Sequence, residues 1–345
     1  MINFRRPIIG LSPMDSVTDA PFREMIARHS TPSFIVTEFS NVEGLARGGV
    51  KMLHAFLYSE RERPIIAQIY GVEIESFYKA AVMCCFLGFD GVDINMGCPM
   101  SKVAKRGSGA ALIKTPELAR QIIATVKAGV RDFKNGISLE EAGVNPLLID
   151  EVKNMSELHG GAERAREIPV SVKTRIGFDK DIAENWMSEL LPAKPDMITV
   201  HGRTLKQLYS GRADWDSIRR ASRVVRGAGI LFLGNGDIQN MQDARDKISE
   251  FEVDGVMVGR AVQGNPWFFT EHIPSVSEKL DAIIEHSEIL ANMYPQIWFV
   301  HIRKHLAWYA NEFSGAKELR TKLIRVSTFA DVKEIVENFR KENNL

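Results

Sequence analysis

Short apolar runs recur along this chain at intervals that leave room for a helix between them. That alternation restricts the possible fold more than any other feature. The runs are Ile8–Leu11, Phe34–Thr37, Ile65–Ile69, Gly91–Asn95, Val170–Thr174, Met197–His201, Ile230–Gly234 and Gly255–Val258. Most are continuously apolar, as strands covered on both faces must be. Helical period fills Pro21–Arg28, Ile74–Leu87, Pro116–Val130, Ile182–Leu191, Trp215–Val225 and Met241–Lys247, and the second crossover reads as an irregular loop around Gly44–Leu57. Eight strands with helical crossovers predict an α/β protein built as a (β/α)8 TIM barrel. A doubly wound sheet is the alternative, but no early Gly-x-Gly-x-x-Gly turn supports it.

Two segments fall outside this rhythm. Asp132–Glu167 is polar, is broken by Asn145-Pro146 and Gly160-Gly161, and has helical period around Leu147–Leu158. It reads as a helical insertion on the barrel. After Pro274 no strand candidate remains, so the expected organisation is a barrel over 1–273 and an all-helical bundle over 274–345. Lys and Arg number 44 and Asp and Glu number 44, so bulk charge advertises no nucleic acid and any such contact needs a local patch. The three cysteines include the adjacent Cys84 and Cys85, a pattern with neither a disulfide framework nor metal-ligand spacing. No signal-peptide pattern follows Met1 and no apolar run reaches membrane length. The expectation is a cytoplasmic protein with no membrane partner and no metal.

The candidate reactive residues stand where strands open into loops. Gly91-Val92-Asp93-Ile94-Asn95-Met96-Gly97-Cys98-Pro99 presents an amide and a thiol together at such an opening. Alone, a cysteine there is as readily a small apolar residue closing a turn. Pro13-Met14 follows the first strand, Gln68 ends the third, Lys173 the fifth and His201 the sixth; Asn235-Gly236-Asp237 and Gly259-Arg260 follow the seventh and eighth. In a parallel barrel these positions share one face, the face where chemistry is done. Glycine lets backbone N–H groups approach an anion, and the Arg260 fork matches phosphate. A phosphate-bearing cofactor is therefore expected, its ring laid toward Gln68, Lys173 and Cys98. A cation such as Lys173 would stabilise a reduced, anionic flavin.

These residues lie in a longer set of motifs. They are Ser12-Pro13-Met14-Asp15-Ser16-Val17-Thr18-Asp19 with Pro21-Phe22-Arg23, Gln68-Ile69-Tyr70-Gly71, and Asp93 to Pro99 with Lys102-Val103. Val172-Lys173-Thr174-Arg175-Ile176-Gly177 follows, then His201-Gly202-Arg203-Thr204 with Gln207, Tyr209, Gly211, Ala213, Asp214 and Trp215. Gly234-Asn235-Gly236-Asp237-Ile238, Val258-Gly259-Arg260 and Gly264-Asn265-Pro266-Trp267 complete the barrel, and Arg303, Lys304, His305, Trp308 and Tyr309 continue into the tail. The chain resembles the tRNA-dihydrouridine synthases, flavin enzymes that reduce uridine in tRNA, in order and over nearly its whole length.

The resemblance implies FMN as cofactor, NADPH as reductant and tRNA as partner, in a monomer whose helical bundle helps to hold the tRNA. It implies that Cys98 donates the proton to uracil. It gives Pro13, Met14, Asp15, Gln68, Lys173, His201, Asn235, Gly236, Asp237, Gly259 and Arg260 to FMN, and Asn95 and Arg175 to the uracil. Lys102, Lys105 and Arg106, just past the thiol, form one candidate rim for tRNA phosphates; Arg303, Lys304 and His305 with Trp308 and Tyr309 form another. A thiol of pKa about 8.5 is protonated at neutral pH and can serve as the acid. Two departures stand out. Asp15 occupies a position where the family more often has a small residue, and the 132–167 insertion is longer than usual. Dihydroorotate and dihydropyrimidine dehydrogenases are the nearest alternative; a tRNA-binding folding factor with a vestigial flavin is another.

Overall fold

In the computed structural model, which describes residues 4–157 and 167–345, eight parallel strands close into a barrel in sequence order. They are β1 (Ile8–Leu11), β2 (Ile35–Asn41), β3 (Ile65–Tyr70) and β4 (Gly91–Met96). The second half comprises β5 (Val170–Gly177), β6 (Met197–Thr204), β7 (Leu231–Asn235) and β8 (Gly255–Val258), and β8 pairs with β1. The helices α1 (Ala20–His29), α2 (Val42–Ala46), α3 (Ile74–Phe86), α4 (Ser101–Ala104) and α5 (Pro116–Lys134) belong to the first crossovers. They are followed by α6 (Pro146–Glu157), α7 (Ala183–Leu190), α8 (Trp215–Val225) and α9 (Met241–Glu250). The expected architecture is the observed one.

Alternation along the strands divides the barrel interior into two levels. At one end Ile8, Phe34, Val36, Ile66, Met197, Leu233 and Met257 form an apolar plug closed by Phe4. The Phe34 ring lies so close over Gly10 that a Cβ there would stand 2.4 Å from it. Two residues further along the same inward faces, the side chains become polar: Gln68 after Ile66, Thr199 and His201 after Met197, Asn235 after Leu233. Odd positions thus mark the inward face of β6 and β7, and even positions that of β3. The plug is the foundation and the polar level above it is the site.

Three strands run at least three residues further than their apolar runs. β2 continues through Phe39, Ser40 and Asn41, which pair with Gln68, Ile69 and Tyr70 after a register shift at Thr37 and Glu38. β5 and β6 extend each other past a shift near Arg175, with Gly177 against Thr204. Lys173 and His201 therefore stand inside strands rather than at their ends, in register with Asn95 and with Arg175 and Asn235.

Beyond the barrel lie α10 (Val276–Met293), α11 (Arg303–Tyr309), α12 (Ala316–Leu323) and α13 (Phe329–Asn343). Capping boxes at Ser275/Glu278 and Thr328/Asp331 start α10 and α13. Their shared core takes Ala20 and Met25 from α1 and Trp267 from the end of the barrel, so bundle and barrel are packed together. At the junction Phe22 stacks on His305 at 5.0 Å, Arg28 and His29 pair with Glu285, and Lys304 Nζ donates to the Ser16 carbonyl. Within the insertion, α6 lies on the outer wall: Asn145 Nδ2 donates to Ala46 O at 3.2 Å and Ser156 Oγ to Phe86 O at 2.9 Å. The sequence-predicted break at Gly160-Gly161 lies outside the described residues.

Burial lowers His286 from 6.5 to about 3, so it is neutral in the fold. Between those values the unfolded chain binds a proton that the folded chain does not, so acidification destabilises the junction. His286→Phe should remove that contribution. Relative to wild type, the variant should gain about 1 kcal/mol per pH unit on going from pH 6 to 4. Urea melts at each pH measure it; parallel pH curves for the two proteins would show that His286 is protonated in the fold.

Candidate active site

A cleft of about 1860 Å³ opens at the carboxyl ends of the strands. Pro13, Met14 and Asp15 enter it from the loop after β1, and Asn95 and Cys98 from the end of β4 and the loop beyond. Lys173 and Arg175 enter from β5, His201 from β6, Asn235, Gly236 and Asp237 from the end of β7, and Gly259 and Arg260 from the loop after β8. Three of the described sequence-predicted residues do not line it. Gln68 is fully buried behind Asn95, to which it is hydrogen-bonded. Lys105 and Arg106 are exposed beyond α4; the Lys102 side chain is not among those described. Phe39 and Met257 line the cleft and were missed. Phe39 belongs to the polar half of β2, which has no apolar signature to mark it as strand.

Local turns hold the β1 loop in place. Met14 N donates to Thr18 Oγ1 at 2.9 Å, and the Asp19 side chain caps α1 at Phe22 N, with Pro21 in the first turn. Opposite it, Gly236 takes φ +130°, and a Cβ there would meet Ala213 Cβ at 2.6 Å. Asp237 follows at φ +53°, held through its carboxylate. That group accepts from Ala213 N at 2.8 Å, from Arg203 Nη2 at 2.7 and 3.0 Å, and from Arg260 Nη2 at 2.8 Å. Burial would raise this carboxyl, but the amide and the two guanidinia overcome it and hold it below the usual carboxylate value. The Asp237 side chain thus orients the arginines, and Arg203, 2 % exposed, is the inner one.

Arg203 Nη1 lies 3.3 Å from His201 Nε2. A guanidinium only donates, so Nε2 accepts and the imidazole proton sits on Nδ1. Burial, with Lys173 and Arg175 adding, holds His201 well below its ordinary value and neutral. Lys173 Nζ donates to Asn235 Oδ1 at 3.0 Å, and Asn235 Nδ2 donates to Met257 O at 2.8 Å, which fixes that amide. Desolvation and the neighbouring Arg175 lower Lys173 to about 8. Arg175, lowered to about 10 by burial, donates through Nε to Gly97 O at 2.7 Å and through Nη1 to Thr204 O at 3.1 Å. It ties the Cys98 loop to the end of β6.

Cys98 is 7 % exposed, at the cleft wall. Desolvation raises its pKa and the Asp15 charge adds to the rise, against the Met100 N–H, Arg175 and Lys173. The thiol is therefore in its acid form at neutral pH. Cations gathered at one end, a glycine loop too tight for a Cβ, and an ammonium with one protein acceptor make a donor set that fits a phosphate ester with an electron-accepting ring.

The fold and cleft define a (β/α)8-barrel protein whose cleft gathers cationic side chains beside a protonated thiol. A family model for dihydrouridine synthase (Dus) matches residues 10–136 and 147–344, and the chain belongs to that family. The interval between the matched stretches falls inside the insertion read from the sequence. The probable tRNA-dihydrouridine synthase of Staphylococcus aureus is 29% identical over 349 residues, covering 98% of this chain and 94% of that protein. Its counterpart in Staphylococcus epidermidis is 29% identical over 344 residues, covering 97% and 94%. The probable tRNA-dihydrouridine synthase 1 of Synechocystis sp. is 30% identical over 341 residues, covering 94% and 84%. Among the described residues no helix is long and apolar enough to cross a membrane, and no His, Cys, Asp and Glu cluster could hold a metal ion.

Proposed function

We propose that this protein reduces the C5–C6 double bond of uridine in tRNA to dihydrouridine, with FMN in the cleft, NADPH as reductant and Cys98 as proton donor. The protonated thiol facing a cleft that also presents Lys173, Arg203 and Arg260 is the observation that carries this reading. When bound, FMN supplies the hydride to the uracil ring, drawing its electrons from NADPH. Gly236, Asp237, Gly259 and Arg260 would take its phosphate end. Pro13, Met14, Asp15, Lys173, His201 and Asn235 would hold the remainder, with Gln68 bracing Asn95 from behind. Asn95 and Arg175 would face the uracil, and Cys98 would deliver its proton to the carbon that does not take the hydride.

The uridine must leave its stack to reach the cleft, at a cost of about a few kcal/mol. Lys102, Lys105 and Arg106 would offset that cost through phosphate contacts, with the bundle holding the body of the tRNA. The work belongs in the cytoplasm, and a monomer suffices for it. The full-length protein should purify yellow and form dihydrouridine in tRNA with NADPH, detected by mass spectrometry. Three rim phosphate contacts imply that tRNA affinity falls roughly twenty- to fortyfold between 50 and 200 mM salt. Efficient turnover of free uridine or dihydroorotate, without tRNA, would identify a pyrimidine dehydrogenase instead.

A further inference from the structure

A chain of buried polar side chains runs beneath the Cys98 loop, and the proton-donor role does not by itself call for it. Asp93 and Gln68 are fully buried and Asn95 is 7 % exposed. Asp93 Oδ1 accepts from Ser171 Oγ at 2.6 Å and Oδ2 from Gln68 Nε2 at 2.7 Å. Gln68 Oε1 accepts from Asn95 Nδ2 at 2.9 Å. Asn95 Oδ1 accepts from Gly97 N at 3.0 Å and Cys98 N at 2.9 Å. The strand register makes this sequence of contacts, with Gln68 opposite Asp93 and Asp93 opposite Ser171.

Carboxamides can turn over and exchange donor for acceptor; the two ends of this chain cannot. An ionised carboxylate only accepts, and a backbone N–H only donates. Both amides are therefore oriented from both ends, and turning either one sets like groups against each other in a buried site. We propose that Asp93 is a positioning residue for Cys98. Through Gln68 it orients the Asn95 carboxamide, which grips the Gly97–Cys98 backbone and sets where the thiol stands. The importance of that placement for turnover rests on the proton-donor reading above; the relay itself does not. One further consequence concerns substrate. With Oδ1 spent on the loop, Asn95 has only its second Nδ2–H to offer, so it meets the pyrimidine as a donor to a ring carbonyl.

Moving the charge tests the relay. Asn95→Asp puts a carboxylate against Gln68 Oε1, and if Gln68 turns over, its oxygen meets Asp93 instead. Adding Asp93→Asn removes the conflict. The new carboxamide donates to Gln68 Oε1 and accepts from Ser171, while Gln68 Nε2 donates to the new carboxylate, which still accepts from the loop. Asp93→Asn alone is uninformative in this respect, because Ser171 can accept as well as donate. The readout is the limiting rate, at high pH, of Cys98 alkylation by iodoacetamide on the purified full chain, mapped by peptide mass, with the melting temperature beside it. Cys84 and Cys85 are buried in α3. Asn95→Asp should change that rate by about tenfold or more and lower the melting temperature, and the pair should restore both. Because the pair keeps the carboxylate at position 95, restoration cannot come from removing a charge beside the thiol. A pair that reacts or unfolds like Asn95→Asp alone overturns the proposal. None of these readouts uses NADPH or tRNA, so they stand apart from any failure of the reductase reading.

Discussion

Cys98→Ala should leave FMN binding and NADPH oxidation intact while slowing transfer to tRNA by roughly two to four orders of magnitude, the usual worth of a positioned acid. The thiol is at the cleft wall and burial keeps it protonated, so it has the proton to give where the substrate is expected. Cys98→Ser should fare little better, because an aliphatic hydroxyl is far too weak an acid for the step. Rapid-mixing absorbance separates the two half-reactions on one sample. The pH dependence supplies a second test. Loss of the acid form must slow transfer as pH rises. If Cys98 is the acid, the fall comes above the ordinary thiol range, since the folded environment raises it. If Lys173 is the acid, the fall is centred at about 8. Near wild-type transfer in Cys98→Ala, with a fall near pH 8, would move the role to Lys173.

How much of this was legible in the sequence depended on which physical signal each element carries. β1 and β8 are read to the residue because apolar runs bound them, and α8 because its helical period begins right after Asp214, whose side chain accepts from Ser217 N in the fold. The polar half of β2 is invisible in the sequence. Phe39, Ser40 and Asn41 are strand only because β3 offers them partners past a register shift, and so Phe39 was lost. The ring of site residues was legible because a parallel barrel brings strand ends to one face. Its depth was not: pairing between β5 and β6 continues past the apolar runs and leaves Lys173 and His201 inside strands. Buried polar partners were the least legible. Asp93 and Arg203 stand within quoted motifs, yet their tasks depend on which neighbour's hydrogen-bonding edge they meet across the barrel, and pattern alone carries no such information. A carboxylate in the otherwise apolar Val92–Ile94 run was the one available hint.

Arg203→Ala should weaken FMN binding more than Arg260→Ala, although Arg260 is the more accessible fork. The Arg260 side chain is 53 % exposed and shares Asp237 with Arg203. Its loss removes one charge-assisted contact from a partly solvated site, worth about tenfold in affinity. Arg203 has 2 % of its side chain exposed and donates to Asp237, to Gly211 O at 2.7 Å and to His201 Nε2. Without it, the carboxylate that holds the left-handed turn at Asp237 keeps only the Ala213 N–H and Arg260, and the imidazole loses its donor. Breaking such a pair from one side costs about 3–5 kcal/mol when both partners are buried. The Asp237 side chain is 27 % exposed, so a cost of about 2–4 kcal/mol is expected here, or roughly a hundredfold in FMN affinity. Flavin fluorescence titration gives the affinities, and the melting temperature should fall in Arg203→Ala and stay near wild type in Arg260→Ala. Equal losses in the two variants would mean that each arginine acts only as a single charge-assisted contact and that Arg203 does not hold the turn through Asp237.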